Sequence, residues 1–148
     1  MFFVAIPYAC TFIYEAIWYF RTSYLSSFPV KPLFITLSLL CLPVAWLFYG
    51  KLYTFYTSLF LCPVLISCAF LLSQKQLENA ALTFLISLIP MAIVNGLLTS
   101  LPVLIYNNAE NCGIRAGTIP LEDFGYAAIL LFLNILIYER LQNHPHRK

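Results

Sequence analysis

A chain of 148 residues that is 61% hydrophobic and 9% charged falls outside the ordinary soluble class, which is roughly 45–50% apolar and about 25% charged. So short a chain has no core large enough to hide that much apolar surface from water, and lipid has to solvate most of it. A net charge of +2, with no dense Lys/Arg patch, argues against a nucleic-acid partner and suits a few cations anchoring the protein at a membrane surface.

A membrane-spanning helix needs about 20 mostly apolar residues. About five such segments follow one another: Met1 to Phe20, Leu33 to Tyr49, Leu52 to Leu72, Ala80 to Ile105 and Pro120 to Tyr138. Their length, and the absence of the alternating pattern that a membrane barrel requires, predict an all-α fold, a polytopic helical bundle. The chain begins Met1-Phe2-Phe3 without a basic leader or a small-residue cleavage site, so a cleaved signal peptide is not expected. Pro43, Pro63 and Pro90 fall inside predicted helices and predict kinks, and Pro102 lies near the end of the fourth. Trp18, Tyr19, Tyr49, Tyr53, Tyr106 and Tyr138 sit near segment ends, where an aromatic belt places them. Cys10, Cys41, Cys62, Cys68 and Cys112 form no CxxC pair and read as small apolar residues.

Five spans put Arg21, Lys31, Lys75, Arg140, Arg147 and Lys148 on one side, and Lys51 and Arg115 on the other. The excess of positive charge assigns the first group, with the C-terminus, to the cytoplasm, as in a bacterial inner-membrane protein.

The longest polar stretch between spans, Tyr106 to Ile119, is where function is sought in so apolar a chain. With the residues after it, it holds Glu110, Glu122 and Asp123, half of the acidic residues, and Arg115. Pro120 suits the first turn of a helix, and Glu122 and Asp123 then fall where the helix dipole favours negative charge. One reading is a pair of carboxylates that cap a helix at the membrane surface. The other is a pair of acids at the mouth of an apolar cavity, where desolvation raises a carboxyl pKa and equips it to donate a proton. The dipole and Arg115 oppose that shift.

Asn95 lies within the fourth span. Asn134 lies about three turns after Asp123, near the same face of the fifth. Both suit hydrogen bonds between helices. Glu15 and Glu139, near one membrane face, read as solvated interfacial carboxylates, and His144 and His146 as solvated tail residues. No GxGxxG or Walker loop offers a nucleotide site, and no HExxH or His/Asp cluster offers a metal site. No DDxxD run offers a magnesium–diphosphate site. No cofactor and no metal are expected.

Asn108-Ala109-Glu110-Asn111-Cys112-Gly113-Ile114-Arg115, followed by Thr118-Ile119-Pro120-Leu121-Glu122-Asp123-Phe124, resembles the second Pro-x-Glu-Glu/Asp region of the integral-membrane carotenoid cyclases, the heterodimeric or fused lycopene cyclases that lack a Rossmann fold. Ile89-Pro90 through Asn95-Gly96-Leu97-Leu98-Thr99 is similar to that family's preceding helix, as is Ile6-Pro7-Tyr8-Ala9-Cys10 in the first span. The resemblance covers most of the chain and is strongest from Pro90 to Glu139. It implies one lycopene cyclase-like domain over residues 1–148. Superposing Ile13-Tyr14-Glu15 on Ile137-Tyr138-Glu139 maps Pro120, Glu122 and Asp123 to positions upstream of Met1, so the family's first acidic motif is not expected within this chain.

The resemblance further implies an enzyme, an intramolecular lyase or isomerase of carotenoid biosynthesis. A proton is added to an end-group double bond of lycopene, the cation closes a ring, and a proton is lost to give the β-ring. Its partners are the carotenoid, membrane lipid and another cyclase half, in a homo- or hetero-oligomer. Glu122 is expected as the essential acid, with Asp123 assisting or taking up the released proton. Arg115 orients the loop or a carboxylate, Pro120 sets the turn, and Asn95 and Asn134 support the site. Phe124 and Tyr126 stabilise the cation, or else pack against lipid and neighbouring helices. Two alternatives come from other classes: a small transporter or channel subunit with its path at the interrupted fourth helix and Asn95, and a non-catalytic partner half of a heteromeric cyclase.

Overall fold

The computed structural model describes residues 2–20, 29–101 and 103–142, with the first helix up to residue 7 described by its backbone. The expectations for Arg21, Pro102, His144, His146, Arg147 and Lys148 lie outside the described residues, as do the side chains of the Ile6-Pro7 resemblance. The chain forms α1 (Phe2–Phe20), α2 (Val30–Leu47), α3 (Leu52–Leu71), α4 (Gln74–Ser100) and α5 (Leu121–Leu141). Between α4 and α5 lies a small antiparallel ribbon of β1 (Arg115–Ala116) and β2 (Ile119–Pro120). Helices α2 to α5 are each long and apolar enough to cross a membrane, and the fold is the expected all-α bundle of membrane helices.

The element boundaries follow local signals. α4 begins at Gln74, earlier than Ala80, because Ser73 and Gln76 form a reciprocal capping box. That polar first turn carries no hydropathy signal. α4 also stops at Ser100 instead of reaching Ile105, just ahead of Pro102, whose ring disfavours helical geometry in the residue before it. α2, α3 and α4 each continue past their internal prolines, Pro43, Pro63 and Pro90. Pro120 does not open the first turn of α5. It is the N-cap, with φ −61° and ψ 146°, and it pairs with Arg115 across the ribbon. The ribbon turns at Gly117, whose φ of +65° suits a residue without Cβ.

α2 packs on α3, α3 on α5, and α1 against both α4 and α5. Phe132 of α5 meets Phe34 of α2 and Phe84 of α4 with ring centroids at 5.0 and 5.5 Å. Around them Leu65, Cys68, Leu77, Ala80 and Ile135 are buried. Outward-facing side chains are large and apolar, Trp46, Phe70 and Ile89 among them, as a lipid-facing surface requires. α3 and α5 approach closely at Gly125, where an added Cβ would stand 2.7 Å from the Thr57 methyl. Such small-residue contacts replace the hydrophobic driving force that lipid does not provide.

Opposite the ribbon, α1 and α5 are tied by two reciprocal bonds. The Tyr14 hydroxyl donates to Glu139 Oε1 at 2.6 Å, and the Tyr138 hydroxyl to Glu15 Oε1 at 2.5 Å. Gln76 Nε2 also donates to Glu139 at 2.6 Å. Glu15 and Glu139 are therefore not simply solvated. Each finds a phenol on the neighbouring helix, because helices of matching sense bring the Ile-Tyr-Glu triplets to one level.

Candidate active site

The segment from Tyr106 to Ile119 is tied down on both sides. The Glu110 carbonyl accepts from Tyr53 N–H at 2.9 Å and its carboxylate from Leu52 N–H at 3.3 Å, so a loop residue serves the exposed N–H groups that open α3. Lys51 Nζ donates to the Asn108 carbonyl at 3.1 Å. Arg115 donates to Asn108 Oδ1 and, at 3.0 Å, to the Thr118 carbonyl. Its guanidinium lies 6.0 Å from the Tyr106 ring centroid. Arg115 thus braces the loop and reaches the acids only through Tyr106. Asn111 Oδ1 accepts from Gly113 N–H at 3.0 Å, closing an Asx turn that Gly113 completes at φ +82°.

This turn sets the Cys112 N–H against Glu122. Glu122 is buried, and its Oε1 accepts from Cys112 N–H at 2.7 Å and from the Thr54 hydroxyl. Asp123, only 5% exposed, turns the other way. Its Oδ1 accepts from the Tyr53 hydroxyl at 2.6 Å, and its Oδ2 from the Tyr106 hydroxyl at 2.5 Å and Asn95 Nδ2 at 3.3 Å. Tyr53 and Tyr106 stack at 6.2 Å with their planes 17° apart. Burial first, then the hydrogen bond to Asp123, push the Tyr106 phenol above the ordinary tyrosine value. It remains a donor throughout the neutral range.

Asp123 opens onto a cavity of about 640 Å³ bounded by α1, α4 and α5. Its walls are one face of α4, from Phe84 through Leu88 and Met91 to Asn95, and the Asp123–Tyr126–Leu130 face of α5. Cys10 and Ile13 of α1 line it lower down, and Tyr53 and Tyr106 flank the carboxyl. The arrangement is one carboxyl with three hydrogen-bond donors in a mostly apolar chamber, with Ser87 in its α4 wall, beside two stacked aromatic rings. The chemistry open to such an arrangement is to take up an apolar ligand, to exchange a proton at the carboxyl and to shield a cation from water.

Of the residues singled out in the sequence, Asp123, Asn95 and Tyr126 line the cavity. Glu122, Phe124, Arg115 and Pro120 do not. Asn134 does not either: it lies deeper on α5 and bonds to Cys10 of α1, so its helical register with Asp123 does not bring it to the acids. Tyr53, Thr54 and Glu110 were not foreseen as site residues. Tyr53 carried only an aromatic-belt signal and nothing in the spacing of Thr54 connects it to the acidic turn, whereas Tyr106 and Glu110 were legible as part of the polar segment but without a role. The ring pair beside the acid is Tyr53 and Tyr106, where Phe124 and Tyr126 were expected.

Neither the curated proteins nor the solved structures include a match to this chain. A family model described as lycopene cyclase matches residues 50–141, from the start of α3 to the end of α5 and thus across Tyr53, Asn95, Tyr106 and both acids. With most of its length matched in this way, the chain belongs to the lycopene cyclase family.

Proposed function

We propose that the protein cyclises lycopene end groups by acid catalysis, as a membrane-resident carotenoid cyclase of the isomerase type, with Asp123 as the proton donor. The observation that carries this reading is that Asp123 is the acid facing the apolar cavity. Its Oδ2 takes two hydrogen bonds and its Oδ1 one, so Oδ1 keeps a lone pair for the transferable proton. The O–H proton adds to the terminal carbon–carbon double bond, whose electron pair becomes the new C–H bond. The resulting tertiary cation draws the pair of the next suitably placed double bond into a ring-closing C–C bond. The ring cation loses a proton from the adjacent carbon to the Asp123 carboxylate, and that C–H pair becomes the β-ring double bond. Nothing is oxidised or reduced, and the acid is regenerated. Hydrogen bonds from Tyr53, Tyr106 and Asn95 hold the carboxylate left after the first step in place. The faces of the two phenols stabilise the cation.

Glu122 takes a supporting role in this scheme. Held by Thr54 and the Cys112 N–H, it fixes the start of α5 and aims its neighbour. The loop-side cations Lys51 and Arg115, outnumbered by those at the other end, favour an outward-facing ribbon and a cytoplasmic C-terminus in a bacterial inner membrane. The largely apolar lining of the cavity favours a hydrocarbon ligand over a path for an ion or polar solute. The test is pigment analysis after expression with lycopene. Asp123→Asn is expected to lower ring formation by on the order of a thousandfold. Glu122→Gln should lower it less and in step with the amount of folded protein. An Asp123→Asn variant that still converts lycopene at the parent rate defeats the assignment.

A further inference from the structure

The first turn of α3 supplies a partner to each of the two acids. The Tyr53 hydroxyl donates to Asp123 Oδ1 at 2.6 Å, and the hydroxyl of the next residue, Thr54, donates to Glu122 Oε1. Both side chains therefore depend on a helix end, which frays because its first N–H groups have no partner within the helix. α3 does not cap itself. Its N-cap is Lys51, whose side chain makes no capping bond and donates instead to the Asn108 carbonyl. The close approach of Thr57 to Gly125 fixes α3 against α5 one turn further on, which leaves the turn of Tyr53 and Thr54 beyond that contact.

Glu110 caps this helix from 58 residues away. Its carboxylate accepts from Leu52 N–H at 3.3 Å and its carbonyl from Tyr53 N–H at 2.9 Å, so one loop residue takes the first two N–H groups of α3. A carboxylate placed there also meets the positive pole of the helix dipole. Glu110 is held in turn, its N–H donating to the Asn107 carbonyl at 3.1 Å. Two residues on, Cys112 N–H donates to Glu122 Oε1 at 2.7 Å, so the stretch from Glu110 to Cys112 bridges the starts of α3 and α5. We propose that Glu110 is a positioning residue for the proton transfer: it clamps the first turn of α3 and so keeps the Tyr53 hydroxyl on Asp123. This inference rests on the cyclase reading and extends it to a side chain that does not line the cavity. Loss of the clamp lowers kcat and spares KM, because the apolar walls that hold a hydrocarbon are untouched.

The experiment measures kcat and KM for lycopene in liposomes of neutral phospholipid, per amount of folded protein. It compares the full chain with Glu110→Ala, Tyr53→Phe and the double variant. Glu110→Ala is expected to lower kcat about three- to tenfold with KM within about twofold of the parent. Glu110→Gln, which keeps an acceptor oxygen, should restore kcat to within about twofold. In the Tyr53→Phe background Glu110→Ala should lower kcat by less than about twofold, since the hydroxyl it positions is already gone. Leu52→Pro deletes only the N–H that the carboxylate accepts, at the helical position that tolerates proline. It should lower kcat in the same way and provides the same comparison with Tyr53→Phe if Glu110→Ala does not fold. Ser73→Ala, which uncaps α4 instead, should leave kcat within about twofold. The inference is overturned if removing the clamp leaves kcat at the parent value or lowers it by the same factor with and without the Tyr53 hydroxyl. It is also overturned if KM rises in place of the fall in kcat, or if Ser73→Ala lowers kcat as far. A parent chain that leaves lycopene unchanged defeats the cyclase reading itself, and the inference with it, so the two failures are distinct.

Discussion

Two phenols and a carboxamide converge on Asp123, and each contributes differently to the proposed proton transfer. Tyr53 and Tyr106 donate short hydrogen bonds, whereas Asn95 donates a longer one at 3.3 Å. Tyr53→Phe and Tyr106→Phe are each expected to lower kcat by on the order of tenfold with KM little changed, because the lost bonds strengthen as the carboxylate forms. The double variant should lose less than the product of the two, since both donors serve one group. Rate measurements on lycopene-loaded liposomes check this. Tyr106 also has a distinct titration. Its phenol is raised in the folded protein, so the associated stability is fully present below the ordinary tyrosine value and is lost only as pH rises through the higher folded one. An ultraviolet titration should therefore show the same tyrosine ionisation near the ordinary value in the wild type and in Tyr106→Phe. At this scale the acidic pair was legible in the sequence as polar groups at the membrane face, and Asn95 as a polar group within a span. Which acid meets the cavity was not, because neighbouring residues on a helix point about 100° apart and the sequence does not say which of those directions is hollow. Tyr53 was hidden for a related reason: its partner lies seventy residues away.

At the level of whole helices, the α3–α5 contact depends on one missing side chain. A methyl group at Gly125 would collide with Thr57 Cγ2 at 2.7 Å, and a β-branched side chain has little freedom to yield. Gly125→Ala is expected to destabilise the protein by about 1–3 kcal/mol. Thr57→Ser, which removes the methyl group and keeps the hydroxyl, should recover much of that loss. Thermal unfolding in detergent of the two single variants and the double variant tests the coupling. The helices themselves could largely be read from runs of apolar residues, and α3 was placed almost to the residue. The start of α4 and the ribbon differ from the expectation where polar and turn chemistry override hydropathy. Ser73 and Gln76 start α4 within a stretch that is not apolar, and the ribbon that turns at Gly117 has strands too short to leave a period. Ser73→Ala should cost about 1 kcal/mol, read in the same unfolding experiment.

The molecule as a whole is a helical bundle with a chamber between α1, α4 and α5, flanked at one end by a braced loop, and with polar ties between α1 and α5 toward the other. The membrane class was evident from composition alone, and the all-α bundle followed from it. The chamber was not foreseeable, since it exists only where faces of α1, α4 and α5 that are distant in sequence stand apart. The ties between α1 and α5 have a consequence of their own. Because Tyr14 gives to Glu139 while Tyr138 gives to Glu15, each helix supplies a donor and an acceptor to its twin. The seam is self-complementary, like a contact across a dyad between subunits. Severing the polypeptide between α1 and α2 should therefore leave two pieces with matched bonding faces that co-purify from membranes when produced together. Replacing both tyrosines with phenylalanine should abolish that recapture, and replacing either one alone should weaken it by a similar amount.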